Sequence, residues 1–273
     1  MNGPPAMSPR TSSGFCAESS LAIQSWSEGR EQAARSPSPR LLACGDAALS
    51  VEFGNEIDEG LNDRVLALDA ALGKAAIPGL VETVPTYRSL LACYDPVTDV
   101  DGLKQRILAL SGDAADEPRR IRRWRVPVVY GGAFGPDLDA VAERHGMTPD
   151  EVIALHAGAT YRVYMIGFMP GFAYLGGLDA RLETPRRLQP RLKTPAQSVS
   201  IGGAQAAISS VEAPSGWHLL GRTPARSFMP GRDPGFLFAA GDEIRFEPTP
   251  PKHWDELDAA AARGEPVIGC EIA

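Results

Sequence analysis

The sequence predicts an α+β protein in two parts, a small α/β sandwich followed by a domain of short strands closed as a barrel or paired as a sandwich. Three observations carry this. Between residues 41 and 110, two stretches repeat apolar residues at spacings of three and four, the helical period, and alternating runs lie between them. From 161 to 246 that period disappears, and short β-rich runs alternate with turns. The 28 glycines and 24 prolines among 273 residues supply those turns without reaching the level of low-complexity sequence, roughly 25–30%.

Residues 1–39, rich in Ser, Pro, Gly, Arg and Glu and without apolar periodicity, are expected to be a disordered tail. An over-extended start of translation explains them equally well. The small domain is placed at 40–117. Leu41, Leu42 and Ala43, then Leu49, Val51 and Phe53, flank Gly45-Asp46 as a strand pair. Asn55 is expected to cap a helix over 56–72 whose Ile57, Leu61, Val65, Leu68 and Leu72 share a face, with Gly73 and Pro78 ending it. A strand over 81–94 follows, then a helix over 100–110 that turns Leu103, Ile107 and Leu110 inward.

An acidic linker at 113–118 marks the boundary, and the second domain is placed at 118–273 with a C-terminal tail. It opens on five arginines, Arg119, Arg120, Arg122, Arg123 and Arg125, before a strand at 126–130. The run suits phosphate, a solvated edge strand, or a surface packed on an acidic partner. Helices are expected at 137–145 and 149–156, the latter capped by Thr148 with Asp150 and Glu151 in its first turn. Strands at 161–166, 198–201, 206–209, 216–220 and 242–246 and a closing helix at 255–262 complete the chain.

Composition excludes several functions. Lys and Arg number 27 against 34 Asp and Glu, a net charge of −7, so no positive field draws the chain to nucleic acid or anionic lipid. The four cysteines are scattered, without C-x-x-C or zinc-site spacing. No apolar run approaches the roughly 18 residues of a membrane span, and no signal peptide is legible, so the cytoplasm is the expected compartment. Signatures of P-loop, dinucleotide-binding, zinc-protease and serine-hydrolase sites are missing. Gly131-Gly132-Ala133-Phe134-Gly135 resembles a phosphate loop, but a turn before a helix explains it as well.

The chemistry-bearing candidates lie downstream. In 164–177, Gly167, Pro170 and Gly171 permit close backbone approach, while Phe168, Phe172 and Tyr174 can wall a pocket, although each aromatic alone also suits a core. Arg186 and Arg191, set among prolines, offer planar forks to carboxylate or phosphate, or form structural ion pairs. Gln205 and Arg222 add polar groups. His156 is a candidate acid or base, in competition with a helix-end histidine facing the dipole.

Taken in order, the 130–138 segment, His156 with Tyr161, the 167–175 segment, Pro185-Arg186, Pro190-Arg191, Pro195, Ser198-Val199, Gln205, Gly216-Trp217 and Gly221-Arg222-Thr223-Pro224 resemble one family over about 41–246. It is the family of 5-oxoprolinase B subunits, also called allophanate hydrolase subunit 1 or the carboxyltransferase C and D subdomain family. The resemblance implies a small α/β domain followed by a cyclophilin-like β-barrel. It implies a subunit, inactive alone, of an ATP-dependent lactam hydrolase that opens 5-oxo-L-proline to L-glutamate. Its partners would be the C and A subunits of 5-oxoprolinase, and ATP with Mg2+ would be held by the complex, with no metal site in this chain. His156 and Gln205 are its catalytic candidates. Gly167, Phe168, Pro170, Gly171, Phe172, Tyr174, Arg186, Arg191, Ser198 and Arg222 are its ligand-binding candidates, expected to converge around the glycine-aromatic segment. Other relatives inhibit a sporulation sensor kinase or belong to urea carboxylase and allophanate metabolism. The chain departs from the family's P-A-G-S-V, G-x-Q-T-G-I-Y-P and S-P-G-G-W at Gln197, Ala206, Ala207 and Ser215. If those positions line the pocket, Ala206 removes a donor and the others crowd space that glycine would leave.

Overall fold

The computed structural model describes residues 38–113 and 120–272, so nearly all of the expected tail and of the acidic linker falls outside the described residues. The small domain is a four-stranded antiparallel sheet in the order β1 (Arg40–Ala43), β2 (Ala48–Glu52), β4 (Ser89–Tyr94), β3 (Leu80–Pro85). Helices α1 (Glu59–Ala75) and α2 (Val100–Asp113) complete its core, where Leu49, Val51 and Leu90 meet Val65, Leu68, Leu72, Leu103 and Ile107. The cap of α1 is Asp58, not Asn55: its extended backbone lets the carboxylate accept from the Leu61 N–H at 2.9 Å. Asn55 instead accepts from Arg88, and Ile57, left outside the helix, is exposed. Gly73 lies within α1, which ends at Ala76 in the left-handed region. The expected strand over 81–94 breaks into a hairpin at 86–88, closed by the Thr86 N–H on the Ser89 carbonyl at 2.9 Å.

The second domain is a closed barrel of seven strands. Around it run β12 (His218–Arg222), β9 (Ser198–Gly202), β10 (Gln205–Ile208), β7 (Ala173–Gly176), β6 (Tyr161–Ile166), β13 (Glu243–Pro248) and β5 (Arg122–Tyr130), which returns to β12. All pairs are antiparallel except β13 with β5. A ribbon of β8 (Arg191–Thr194) and β11 (Ala213–Ser215) lies beside it, and β14 (Gly269–Ile272) adds to β5. Val126, Val163, Leu175, Ile201, Ile208 and Ile244 fill the interior. Helices α3 (Leu138–His145) and α4 (Pro149–Gly158) pack outside it, and Thr148 and Glu151 form the capping box of α4.

Three arginines of the run are spent within the chain, while Arg119 lies outside the described residues. Arg122 grips Asp242 in a two-point pair at 2.9 and 2.7 Å, Arg123 donates to Glu243 at 2.7 Å and Arg125 to Glu271 at 2.9 Å. Strand β5 is therefore no edge: β13, β14 and β12 all pair with it. Gly131–Gly135 is a turn, its Phe134 and Gly135 N–H groups both donating to the Gly131 carbonyl. A Cβ at Gly135 would lie 1.9 Å from the Leu220 carbonyl oxygen, so the close approach demands glycine.

The domains join through buried Asn62 of α1. It donates to the carbonyls of Thr86 (3.0 Å) and Tyr164 (3.2 Å) and accepts from Arg162 (3.0 Å), so no polar atom of its amide is wasted. Beside it the Tyr87 ring, at the tip of the β3–β4 hairpin, stacks on Tyr164 with centroids 5.2 Å apart.

Candidate functional site

The glycine-aromatic segment divides in two. Residues 167–171 form a tight loop, with the Gly167 N–H on the Phe172 carbonyl and the Phe172 N–H on that of Met169, both at 3.1 Å. Phe168 sits at φ 66°, where a non-glycine residue is strained, and its ring is 69% exposed. Gly167, Phe168, Pro170 and Gly171 line an apolar hollow of about 330 Å³ closed on one side by Phe236. The remainder is strand: β7 pairs with β6 and β10.

That strand builds a second surface. Ala173 and Leu175 point into the barrel, so Tyr174 points out, and in β10 Ala206 and Ile208 point in while Ala207 and Gln205 share the outer side. There Phe172 and Trp217, 7% and 6% exposed, pack with the partly exposed Tyr174 into an aromatic platform with centroid separations of 4.7 to 6.4 Å, and Tyr87 reaches it from the small domain, 6.1 Å from Tyr174. Gly202 makes room for it: a Cβ there would lie 2.8 Å from the Trp217 ring. Gln205 is register-paired with Gly202, which places its amide at the platform's edge.

Arg186 completes this face. Its guanidinium lies 5.6 Å from the Trp217 ring centroid, and it makes no ion pair among the described residues. The Tyr87 hydroxyl is buried without a hydrogen-bond partner, and burial, reinforced by Tyr174 and Tyr164 and opposed by Arg186, pushes its pKa up. Burial also raises Tyr174, again opposed by Arg186. An uncompensated cation, an unpaired phenol donor, a free carboxamide and flat rings together suit a small planar ligand carrying a carboxylate and an amide.

Other candidates go elsewhere. His156 is fully buried in the barrel domain, its Nδ1 2.8 Å from the Tyr130 hydroxyl and its ring stacked on Phe246 at 4.8 Å. Burial pushes its pKa down to about 3, so it is a neutral core histidine that no substrate atom reaches. Arg191 grips Asp137 with two donors at 2.7 Å each, joined by Arg187 at 2.9 Å and by the Leu219 N–H at 2.8 Å. Burial works to raise the Asp137 pKa, but these donors and charges outweigh it and hold the carboxyl below its ordinary range. Arg191 is thus a structural clamp. Ser198 and Arg222 lie together at one barrel end. The Ser198 hydroxyl donates to the Pro195 carbonyl at 2.7 Å, and Arg222 reaches the Ala196 carbonyl at 3.1 Å.

Residues 39–238 match the family model described as carboxyltransferase domain, subdomain C and D. The chain is 39% identical over 214 residues to the 5-oxoprolinase B subunit of Bacillus subtilis, covering 74% of this chain and 89% of that protein. It is 44% identical over 211 residues to the protein of the same name in Escherichia coli O157:H7, covering 77% and 95%. The chain belongs to the family of 5-oxoprolinase B subunits. Its fold also resembles part of Kluyveromyces lactis urea carboxylase, with a TM-score of 0.72 over 86% of this chain and 24% of that one at 19% identity, a likeness of fold alone.

Within the 5-oxoprolinase family, the departures acquire positions. Ala206 faces the barrel interior, so the hydroxyl it lacks is missing from the core and not from the aromatic face. Ala207 packs under Phe172 and Trp217, and the Ser215 hydroxyl accepts from the Trp217 N–H at 3.1 Å, holding the platform in place. Gln197 stands at φ 65°, a conformation that glycine adopts without strain, and its buried amide extends toward the C-terminal helix α5 (Trp254–Ala262). The sequence did not single out Tyr87 or Asp137; the cation-rich 186–193 segment, which needs an anion, was the one available signal for Asp137.

Proposed function

We propose that the chain is the substrate-holding component of a 5-oxoprolinase complex, and that the aromatic face takes 5-oxo-L-proline. The single observation that carries this reading is Arg186, an exposed guanidinium set over Trp217 without a carboxylate partner among the described residues. In this arrangement Arg186 binds the substrate carboxylate, the lactam ring lies against the exposed side of Tyr174 beside Trp217, and Gln205 serves the ring amide. A lactam is a poor electrophile; phosphorylating its carbonyl oxygen activates the carbon for water, the tetrahedral adduct breaks its C–N bond as the ring nitrogen takes a proton, and a second water cleaves the resulting acyl phosphate to the carboxylate and inorganic phosphate.

The Gly131–Gly135 turn is no phosphate cradle: it spends its Phe134 and Gly135 N–H groups on the Gly131 carbonyl. We therefore assign ATP, with its Mg2+, to the C and A subunits. The test is reconstitution with those proteins, followed by ATP- and 5-oxoproline-dependent glutamate formation. The expected result is glutamate from the assembled complex and none from this chain alone. Robust turnover by the isolated chain, or an inactive complex in which the chain instead inhibits a sensor kinase, would overturn the reading.

A further inference from the structure

At the barrel end that holds Ser198, a carboxylate is already bound. Asp258, from α5, places Oδ1 2.7 Å from Arg226 Nη2 and 3.1 Å from Gln197 Nε2. Arg222 stands beside it, donating to Gln197 Oε1 at 3.4 Å, with its guanidinium 4.7 Å from the Trp254 ring centroid. Burial depresses the Arg222 pKa and the Asp258 charge counters it, so the carboxylate answers two arginines. Donor capacity remains: Arg226 Nε is buried without a hydrogen-bond partner. Two guanidinium groups and a carboxamide are more than one aspartate oxygen requires.

The helix that delivers Asp258 is held at few points: Ala261 is its only buried residue, and its Trp254 ring lies 4.8 Å from the Phe134 ring, centroid to centroid. The family match ends at 238, before α5 begins. Gln197, which reaches Asp258, holds a left-handed backbone conformation that glycine adopts without strain, so its hydrogen bonds offset that strain.

We propose that Arg226, Gln197 and Arg222 form a carboxylate-binding subsite, occupied in cis by Asp258, and that α5 is a strap which a small external carboxylate displaces. The subsite is independent of the aromatic face and of the function proposed for it. A strap closed about 90% of the time weakens apparent affinity about tenfold, because only the open fraction binds.

The experiment uses the full chain in an Arg186→Ala background, which removes the aromatic face's cation, with L-glutamate as probe and chloride and inorganic phosphate as comparisons at equal ionic strength. Calorimetry should find glutamate bound about tenfold more tightly in Asp258→Asn than in its parent, and Arg226→Gln should abolish that binding. Glutamate, and not chloride, should accelerate amide exchange across 254–262 in the parent. Gln197→Gly should accelerate it without ligand. Unchanged affinity in Asp258→Asn, or unchanged exchange in Gln197→Gly, would overturn the proposal. So would displacement of α5 by phosphate alone. If Asp258→Asn and Gln197→Gly both destabilise the whole barrel, the contact is a structural pin and the proposal fails.

Discussion

Arg186→Ala and Arg191→Ala, alike in sequence context, should have opposite consequences. Arg186 is exposed, and among the described residues it makes no ion pair, its contact with the Trp217 ring being worth about 0.5–1 kcal/mol at such a site. Removing it should lower the melting temperature by no more than about 4 °C, at roughly 2–4 °C per kcal/mol for a chain of this size. If it holds the substrate carboxylate, its loss removes a charged hydrogen bond of about 1.5–3 kcal/mol, a fall in kcat/KM of roughly tenfold to 150-fold. Arg191 instead neutralises Asp137, whose side chain is 5% exposed. Its removal leaves a buried carboxylate with Arg187 and the Leu219 N–H alone, a loss of about 3 kcal/mol and roughly 6–12 °C. The assay is glutamate formation by the reconstituted complex, beside thermal unfolding of each free variant. Unchanged kcat/KM for Arg186→Ala, with a melting temperature lowered as far as that of Arg191→Ala, would refute the assignment and make both arginines structural.

The remaining predictions concern burial and space. His156 stays neutral in the fold down to about pH 3 while the unfolded chain takes up its proton near pH 6.5, so stability should fall as pH drops through that window. The contribution is at most about 1.4 kcal/mol per pH unit, and urea unfolding from pH 7 to 4 should show a shallower dependence in His156→Phe; an equal slope would exclude His156 as the cause. Asp137, held below its ordinary pKa, contributes stability that is present above about pH 4 and is lost as pH falls through its lower folded value. Comparing acid unfolding of the chain and Asp137→Asn checks this, and identical acid profiles would refute it. Gly202→Ala should push the Trp217 ring aside at a cost of about 1–3 kcal/mol and lower substrate use, visible as a change in indole fluorescence. Unaltered emission and kinetics would show that the platform tolerates the methyl.

What the sequence discloses depends on how local the cause is. Helix α1 is legible because Leu61, Val65, Leu68 and Leu72 repeat at the helical period, and α4 because Thr148 and Glu151 cap it through contacts three residues apart. The N-terminus of α1 at Asp58 was less legible, since Asn55 has an equally good cap side chain and the choice was made by the distant Arg88. Strands β7, β8 and β11 are three or four residues long, too short for alternation to speak, and exist because partners elsewhere pair with them. The site divides in the same way. Phe172, Tyr174, Arg186 and Gln205 were legible by residue type and meet on one face, whereas Tyr87 joins them from a hairpin of the other domain, which no local pattern announces. His156 shows the converse error: a histidine's capacity for proton transfer is a property of the residue, but its burial against Phe246 is a property of the fold.

The aromatic face and the barrel core are alternate halves of the same strands. Along β7, β9 and β10 the inward residues Ala173, Leu175, Val199, Ile201, Ala206 and Ile208 close the barrel, and the residues between them face outward. Small outward residues, Gly202 and Ala207, let Trp217 and Phe172 lie flat against the sheet. Because the pleat separates the two sets, the outer residues are free to change with the ligand while the inner ones keep the fold. That separation explains how a 19%-identical urea carboxylase domain retains this architecture, and why the fold alone says nothing about the substrate. In this chain the substrate must be argued from the outer set, and within that set from Arg186, the cation over Trp217 that the fold itself leaves without a carboxylate partner among the described residues.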